Sequence, residues 1–250
     1  MTAAFQEDRS VLSRTARAPD RTIAYGAQPE NIADLWQGPD TARARPLLIM
    51  IHGGFWRPEY DRTHTAPMCA ALADAGWTVA TIEYQRIRGQ PDVTASDVRA
   101  AVAGIPPLVK HQDGRVVLLG HSAGGHLCLY AAVAQASAAI AGVVALAPAA
   151  DLQLVEQLDL DDGAARAFLG TSAATRPDLD PARQPDINAS ATIIHGIEDL
   201  VVPIAVSRAY VAAHPATTLR VLEDCGHFAL IDPLSDAWSA VIAELQRFSR

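Results

Sequence analysis

Short apolar runs separated by longer segments constrain the fold of this chain more than any other feature. Each run is too brief to be an ordinary helix and is apolar at almost every position, which is typical of β-strands buried on both faces. Because helix-compatible segments lie between the runs, the pattern predicts an α/β fold with a mainly parallel sheet covered by helices on both sides. The runs cover residues 47–51, 78–82, 116–119, 142–146 and 192–194.

The segments between these runs supply the predicted helices. Thr94 and Asp97 have the spacing of a variant capping box, with an acid in place of the usual Glu or Gln, so we expect one helix to begin there. The predicted helices cover residues 63–75, 94–110 and 123–136.

Both ends of the chain add elements to the predicted sheet. Residues 21–25 and 31–36 are separated by a turn, and they predict an antiparallel pair of strands. A last strand at 218–222 precedes an amphipathic helix at 234–248. The sheet should therefore contain about eight strands.

We expect residues 1–250 to form a single domain with two less regular segments. Residues 1–20 are polar and lack periodicity, so they form an N-terminal extension that wraps the surface or frays. Residues 149–190 are rich in Asp, Ala, Pro and Arg and connect two core strands. Since a connection of that length is usually a lid or a binding loop, we interpret it as a lid or cap insertion.

Charge and hydropathy exclude several classes of partner. The net charge of −8 and the lack of a Lys/Arg run argue against nucleic acid. The sequence contains no stretch of about 18–20 unbroken apolar residues and no apolar signal sequence after Met1, so we expect neither membrane association nor secretion. Three widely spaced cysteines predict buried, reduced thiols. A cytoplasmic protein is expected, and a homodimer is compatible with the sequence.

The pentapeptide Gly120-His121-Ser122-Ala123-Gly124 has the G-x-S-x-G pattern. An apolar strand runs directly into it and an alanine-rich helix follows. A sharp strand-to-helix turn of this kind lifts the serine hydroxyl above the sheet edge, and the glycines relieve crowding two positions on either side. The sequence therefore predicts Ser122 as a catalytic nucleophile.

A serine nucleophile needs a base and an orienting carboxylate. In α/β folds whose nucleophile lies on a G-x-S-x-G turn, these residues follow in the order Ser, acid, His. The segment after the predicted strand at 192–194 offers Glu198 and Asp199. We assign Asp199, because a short apolar stretch and a proline follow it. His227, in a loop after the last strand, is the predicted base, and the alternative is an ordinary surface-loop histidine.

An oxyanion hole is predicted from His52-Gly53-Gly54-Phe55-Trp56, directly after the strand at 47–51. The residue after the nucleophile, Ala123, supplies one donor in this fold, and a glycine-rich loop supplies the other. Gly54 and Phe55 are the candidate loop donors, with Gly53 as an alternative to Phe55.

Other polar residues are expected to be structural. His121, His126 and His195 are interpreted as packing or hydrogen-bonded residues, and Glu83 as a buried hydrogen-bonding residue at a strand end. The histidines and carboxylates lack the spacing of metal ligands, so no metal is predicted.

The chain contains His-Gly-Gly-Phe-Trp at 52–56, Ile-Glu-Tyr-Gln-Arg at 82–86, Gly-His-Ser-Ala-Gly-Gly-His-Leu at 120–127, and the Asp199 and His227 loops. In this combination it resembles the kynurenine formamidase (arylformamidase) branch of the α/β-hydrolases, and also the neighbouring small carboxylesterases. The resemblance runs from about residue 21 to the end of the chain. It implies hydrolysis of an N-formyl amide on an aromatic amine, or of a small ester, without metal or cofactor.

Three functional hypotheses follow from the sequence. The first is an arylformamidase-like amidase whose small-molecule substrate, an aromatic amide or ester, stacks on Phe55, Trp56 or Phe228. The second is a carboxylesterase for small esters with the same mechanism. The third is a hydrolase fold that binds a ligand without catalysis, which the complete set of predicted catalytic residues disfavours.

Overall fold

The central sheet has eight strands in the order β1-β2-β4-β3-β5-β6-β7-β8. The computed structural model describes residues 5–135 and 139–249. Strand β2 runs antiparallel to both β1 and β4, and the remaining neighbours are parallel. The predicted mainly parallel sheet is thus confirmed. The strands are β1 Arg21–Ala24, β2 Ile32–Trp36, β3 Leu47–Ile51, β4 Val79–Ile82, β5 Val116–His121, β6 Ile140–Leu146, β7 Ser190–Gly196 and β8 Thr218–Leu222.

Helices cover both faces of the sheet, because successive side chains of β3 pack into two different hydrophobic cores. Ile49 of β3 packs into the core that contains Leu127, whereas its neighbour Met50 packs into a second core with Met68 and Leu245. Successive strand residues point to opposite faces, so one strand serves both layers. The helices are α1 Ala66–Asp74, α2 Pro91–Gly104, α3 Ala123–Ala134, α4 Leu152–Gln157, α5 Ala164–Leu169, α6 Ala205–Ala213 and α7 Trp238–Gln246.

The prediction that α2 begins with a capping box at Thr94 is wrong. The helix begins at Pro91, where proline is tolerated because the first N–H has no helical acceptor. Within the helix, Thr94 Oγ1 donates to the Gln85 carbonyl at 2.6 Å, and Asp97 Oδ2 accepts from the Gln85 N–H at 2.9 Å. These side chains therefore fix the loop after β4 and do not cap the helix.

Other predicted boundaries also shift, for identifiable reasons. Pro106 and Pro107 follow the residue after Gly104, and the chain continues as the short 3₁₀ helix Pro106–Leu108, so α2 does not reach residue 110. The 3₁₀ helix Arg62–Thr65 precedes α1. The C-terminal helix begins at Trp238, four residues later than predicted. Residue 136, the predicted end of α3, lies outside the described residues.

Residues 149–190 fold as α4, α5 and three short 3₁₀ helices. Leu152, Val155 and Phe168 from this segment belong to the same hydrophobic core as β3 and α3. The segment is therefore packed against the body of the domain. An ion pair between Asp161 and Arg57 links it to the loop after β3.

Candidate active site

Ser122 lies at the sharp turn between β5 and α3. Its backbone has φ 57° and ψ −120°, a conformation that L-residues rarely adopt. Glycines are required on both sides. A Cβ at Gly120 would lie 2.3 Å from the Gly124 carbonyl oxygen, and a Cβ at Gly124 would lie 2.0 Å from the carbonyl oxygen of Ile51. The turn thus has the strained geometry that the motif requires.

Asp199 and His227 meet above the ends of β7 and β8. Nδ1–H of His227 donates to Oδ2 of Asp199 at 2.6 Å, and both side chains are buried. Oδ1 of Asp199 accepts the N–H groups of Val201 and Val202 at 2.8 and 2.7 Å. With Nδ1 engaged, Nε2 is the nitrogen of His227 that remains to accept a proton. Among the two predicted acids, the structure places Asp199 and not Glu198 at His227.

A second imidazole, from His195, also contacts Asp199. Its Nε2 lies 3.2 Å from Oδ2 of Asp199 and 2.8 Å from the carbonyl oxygen of Val202. Because both neighbours are acceptors, Nε2 carries the proton, and Nδ1 accepts from the Ser207 hydroxyl at 2.6 Å. The sequence prediction of a hydrogen-bonded His195 missed this role, although a histidine four residues before the acid, at the same strand end, was the available signal.

Asp199 is held as a carboxylate. Burial raises its pKa, but the hydrogen bonds from His195 and His227 lower the pKa by more, so it lies well below the ordinary value. A carboxylate in this state can fix the tautomer of His227 and stabilise the charged imidazolium.

The loop after β3 brings backbone N–H groups towards Ser122. A Cβ at Gly53 would lie 2.9 Å from Ser122 Cβ, so this backbone approaches the serine closely. Gly54 has φ 113° and Phe55 has φ 49°, and both line the cavity that contains Ser122. Ala123 is the first residue of α3, where an N–H has no acceptor within the helix. The predicted oxyanion donors are therefore grouped around the serine.

Trp56, predicted to bind substrate, points into the core. It is only 4% exposed, and its ring stacks on Phe168 with a centroid distance of 4.8 Å. Its Nε1–H donates to Nδ1 of His126 at 3.2 Å, and Nε2–H of His126 donates to the Leu179 carbonyl at 2.8 Å. This position corrects the prediction that Trp56 binds substrate. Both Phe55 and Trp56 have left-handed backbone conformations, so the Phe55 ring faces the cavity and the Trp56 ring packs beneath it.

Glu83 supports the same loop from below. It forms ion pairs with Arg86 and Arg62 and lies 3.3 Å from Nε2 of His52. Tyr84 stacks on the His52 ring and donates to the His52 carbonyl at 2.8 Å. Burial raises the pKa of Glu83, but its contacts with His52 and Arg86 lower it by more, so the group stays charged. The structure thus gives Glu83 the buried, hydrogen-bonded role that the sequence predicts.

Ser122 and His227 line one cavity of about 320 Å³. Its aromatic wall consists of Phe55, Phe228 and Tyr60, of which sequence analysis missed Tyr60. His64 and His121 also line it, and burial lowers the pKa of His64 to about 4.

The N-terminal extension contributes Arg9 and Leu12 to the lining of the cavity, and Glu59, Asp61 and Asp161 are the acidic lining residues.

Three further structural findings bear on the predicted partners and on the cysteines. In residues 5–135 and 139–249, no helix is long and apolar enough to cross a bilayer. Within the same ranges, no group of three His, Cys, Asp or Glu side chains is arranged to hold a metal ion. Cys69, Cys128 and Cys225 are buried free thiols.

Comparison with known proteins adds a family and several relatives. The family model BD-FAE matches residues 33–213. Esterase LipQ of Mycobacterium tuberculosis is 28% identical over 232 residues, which cover 80% of this chain and 53% of LipQ. Kynurenine formamidase of Salmo salar is 31% identical over 106 residues, covering 42% of this chain and 35% of that protein. The chain thus spans about half, or less, of the length of these curated relatives.

A solved structure resembles almost the whole molecule. The crystal structure of Esterase B from Lactobacillus rhamnosis matches with a TM-score of 0.74 at 21% identity, covering 96% of this chain and 89% of that chain. At this level of identity, the likeness concerns the fold alone.

Proposed function

The chain belongs to the BD-FAE family and has the α/β-hydrolase fold, and we propose that it is a serine hydrolase. Its proposed substrate is a small carboxylic ester. Ser122 is the nucleophile, His227 the general base and acid, and Asp199 the orienting carboxylate. The observation that carries the proposal is the 2.6 Å hydrogen bond from His227 to buried Asp199, beside the cavity that Ser122 lines.

The proposed reaction proceeds in two halves through an acyl-enzyme. Nε2 of His227 accepts the Ser122 proton as Oγ attacks the carbonyl carbon, and the N–H groups of Ala123 and Gly54, with Gly53 or Phe55, bind the oxyanion. The imidazolium, stabilised by Asp199, then protonates the leaving alcohol. Water, activated by the same imidazole, releases the acyl group and frees the serine. The proposed steps use no metal or cofactor.

Cavity size and charge guide the proposed substrate class. A volume of about 320 Å³ is near the lower end of the range for small-molecule sites. Three carboxylates and one guanidinium line it, so an anionic substrate is disfavoured. Phe55, Tyr60 and Phe228 offer aromatic surface for an aryl or short alkyl group. We therefore propose an uncharged small ester as the substrate.

Arylformamidase activity is the second candidate. It is supported by the local 31% identity to kynurenine formamidase and by the aromatic side chains of the cavity. A formyl group needs little acyl space, and an aromatic amine would be the leaving group. The mechanism would be unchanged, with His227 protonating the amine nitrogen. Action in the cytoplasm on a small molecule remains part of the proposal in either case.

A fluorophosphonate probe tests whether Ser122 is a nucleophile. We expect the wild-type chain to be labelled at Ser122, and Ser122→Ala to remain unlabelled. An unlabelled wild-type chain that is correctly folded would favour a ligand-binding protein over an enzyme. Labelling that persists in Ser122→Ala would contradict the assignment of the nucleophile.

The two substrate classes are separated by comparing p-nitrophenyl acetate with N-formylkynurenine. We expect ester turnover with the higher kcat/KM. Efficient deformylation with poor ester turnover would instead establish the second candidate. Ser122→Ala serves as the background control for both substrates.

A further inference from the structure

Residues 5–14 of the N-terminal extension cross the face of the molecule that carries the cavity. Val11 is 1% exposed and belongs to the core beneath. Arg14 forms an ion pair with Asp232, with Nη2 to Oδ2 at 2.9 Å. Arg9 precedes both residues in the chain and lines the cavity. Its guanidinium carbon lies 5.1 Å from the centre of the Phe228 ring. The segment is therefore fixed against the loop that bears His227.

Glu7 connects two catalytic loops through their backbones. Each of its carboxylate oxygens lies 2.9 Å from the N–H of His227, and Oε1 also accepts the Leu200 N–H at 3.1 Å. Leu200 directly follows Asp199. A Cβ at Gly226 would lie 2.5 Å from Oε2 of Glu7, so the carboxylate fits this place because a glycine precedes His227.

We propose that Glu7 is a positioning residue that keeps His227 and Asp199 in a fixed position relative to each other. This inference rests on the proposed serine-hydrolase function. A backbone bond from Glu198 to Cys225 at 3.1 Å already joins the two loops, but it lies before the acid and before the base. Glu7 binds at the base itself and just after the acid. Hydrogen bonds to a charged acceptor are about twice as strong as neutral ones. The bonds from Glu7 therefore restrict the motion of His227 relative to Asp199.

The kinetic test compares Glu7→Ala with Glu7→Gln and with Glu30→Gln, at an exposed position between β1 and β2, as a charge-matched control. Because a displacement of about 1 Å can cost about a hundredfold in rate, we expect Glu7→Ala to lower kcat on p-nitrophenyl acetate about ten- to a hundredfold, with KM changed less than about twofold. Glu7→Gln should lose less, since its amide oxygen still accepts one N–H. Glu30→Gln should match the wild type. Circular dichroism confirms that each variant is folded.

A second measurement reports on the loops without using activity. Amide hydrogen exchange, followed by NMR, should become faster at residues 200 and 227 in Glu7→Ala and stay unchanged in Glu30→Gln. Faster exchange together with lower kcat supports the inference. Wild-type kcat in Glu7→Ala overturns it, whether or not exchange changes, and so does unchanged exchange. Failure of the proposed function is distinct, because the wild-type chain itself would then turn over neither ester nor formamide.

Discussion

Nε2 of His195 lies 3.2 Å from the carboxylate oxygen of Asp199 that also accepts the hydrogen bond from His227. Without this second imidazole, Asp199 keeps only one of its two imidazole donors and can shift away from His227. We expect His195→Ala to lower kcat about tenfold with little change in KM, since small misplacements of catalytic groups act mainly on rate.

The control for His195→Ala is His214→Ala. His214 is also buried, but it bonds to Asp186 and to the Pro181 carbonyl, so its loss tests the general cost of removing a buried imidazole. If both variants lose the same fraction of kcat, His195 has no special role in positioning Asp199.

The two adjacent acids provide a matched pair of variants. Asp199→Asn should lower kcat about 10⁴-fold, because an amide favours the wrong tautomer of His227. Glu198→Gln should stay within about twofold of the wild type, since the carboxylate that bonds to Nδ1 of His227 is that of Asp199. Steady-state kinetics with p-nitrophenyl acetate measures both. The reverse ranking would move the orienting role to Glu198.

Phe55 and Trp56 should differ in what they control. Phe55→Ala removes aromatic surface from the cavity and should raise KM for 1-naphthyl acetate more than for ethyl acetate. Trp56→Phe should leave that KM ratio unchanged but lower the free energy of unfolding by about 1 kcal/mol, because it removes the hydrogen bond to His126. Kinetics with both esters and urea unfolding measure these effects. A changed KM ratio in Trp56→Phe would contradict its placement in the core.

The sequence predicts the sheet well because each buried strand carries its own apolar pattern, which needs no knowledge of its neighbours. It predicts the places of Ser122, Asp199 and His227 because they follow strand ends, and the ends of parallel strands meet at one edge. Helix α6 was missed because it is short and follows a loop. Its inner face is only Val206, Ser207 and Tyr210.

Side-chain directions in loops were less predictable. Whether Phe55 or Trp56 faces the cavity depends on two left-handed backbone conformations, which no residue preference indicates. Glu7 lies in a polar segment without periodicity, and its contact with His227 spans 220 residues. Contacts of this kind depend on tertiary structure and leave no local pattern in the sequence.

His126 should make stability depend on pH in a defined window. Burial lowers its pKa to about 4, from an ordinary value of 6.5, and outweighs the hydrogen bond to the Leu179 carbonyl, which raises the pKa. The unfolded chain therefore binds a proton below about pH 6.5 that the folded chain takes up only near pH 4. The stabilising effect is complete above pH 6.5 and is lost as the pH falls to 4, for a total of about 3 kcal/mol.

The test is urea unfolding of the wild type and His126→Gln at several pH values between 7 and 4, followed by tryptophan fluorescence. Glutamine keeps a donor and an acceptor but does not titrate. We expect the variant to be less stable at pH 7, since its hydrogen bonds fit less well. Its stability should fall less steeply with acid, by up to about 1.4 kcal/mol per pH unit, so the two curves approach each other towards pH 4. Parallel curves would show that His126 is protonated alike in the folded and unfolded chains.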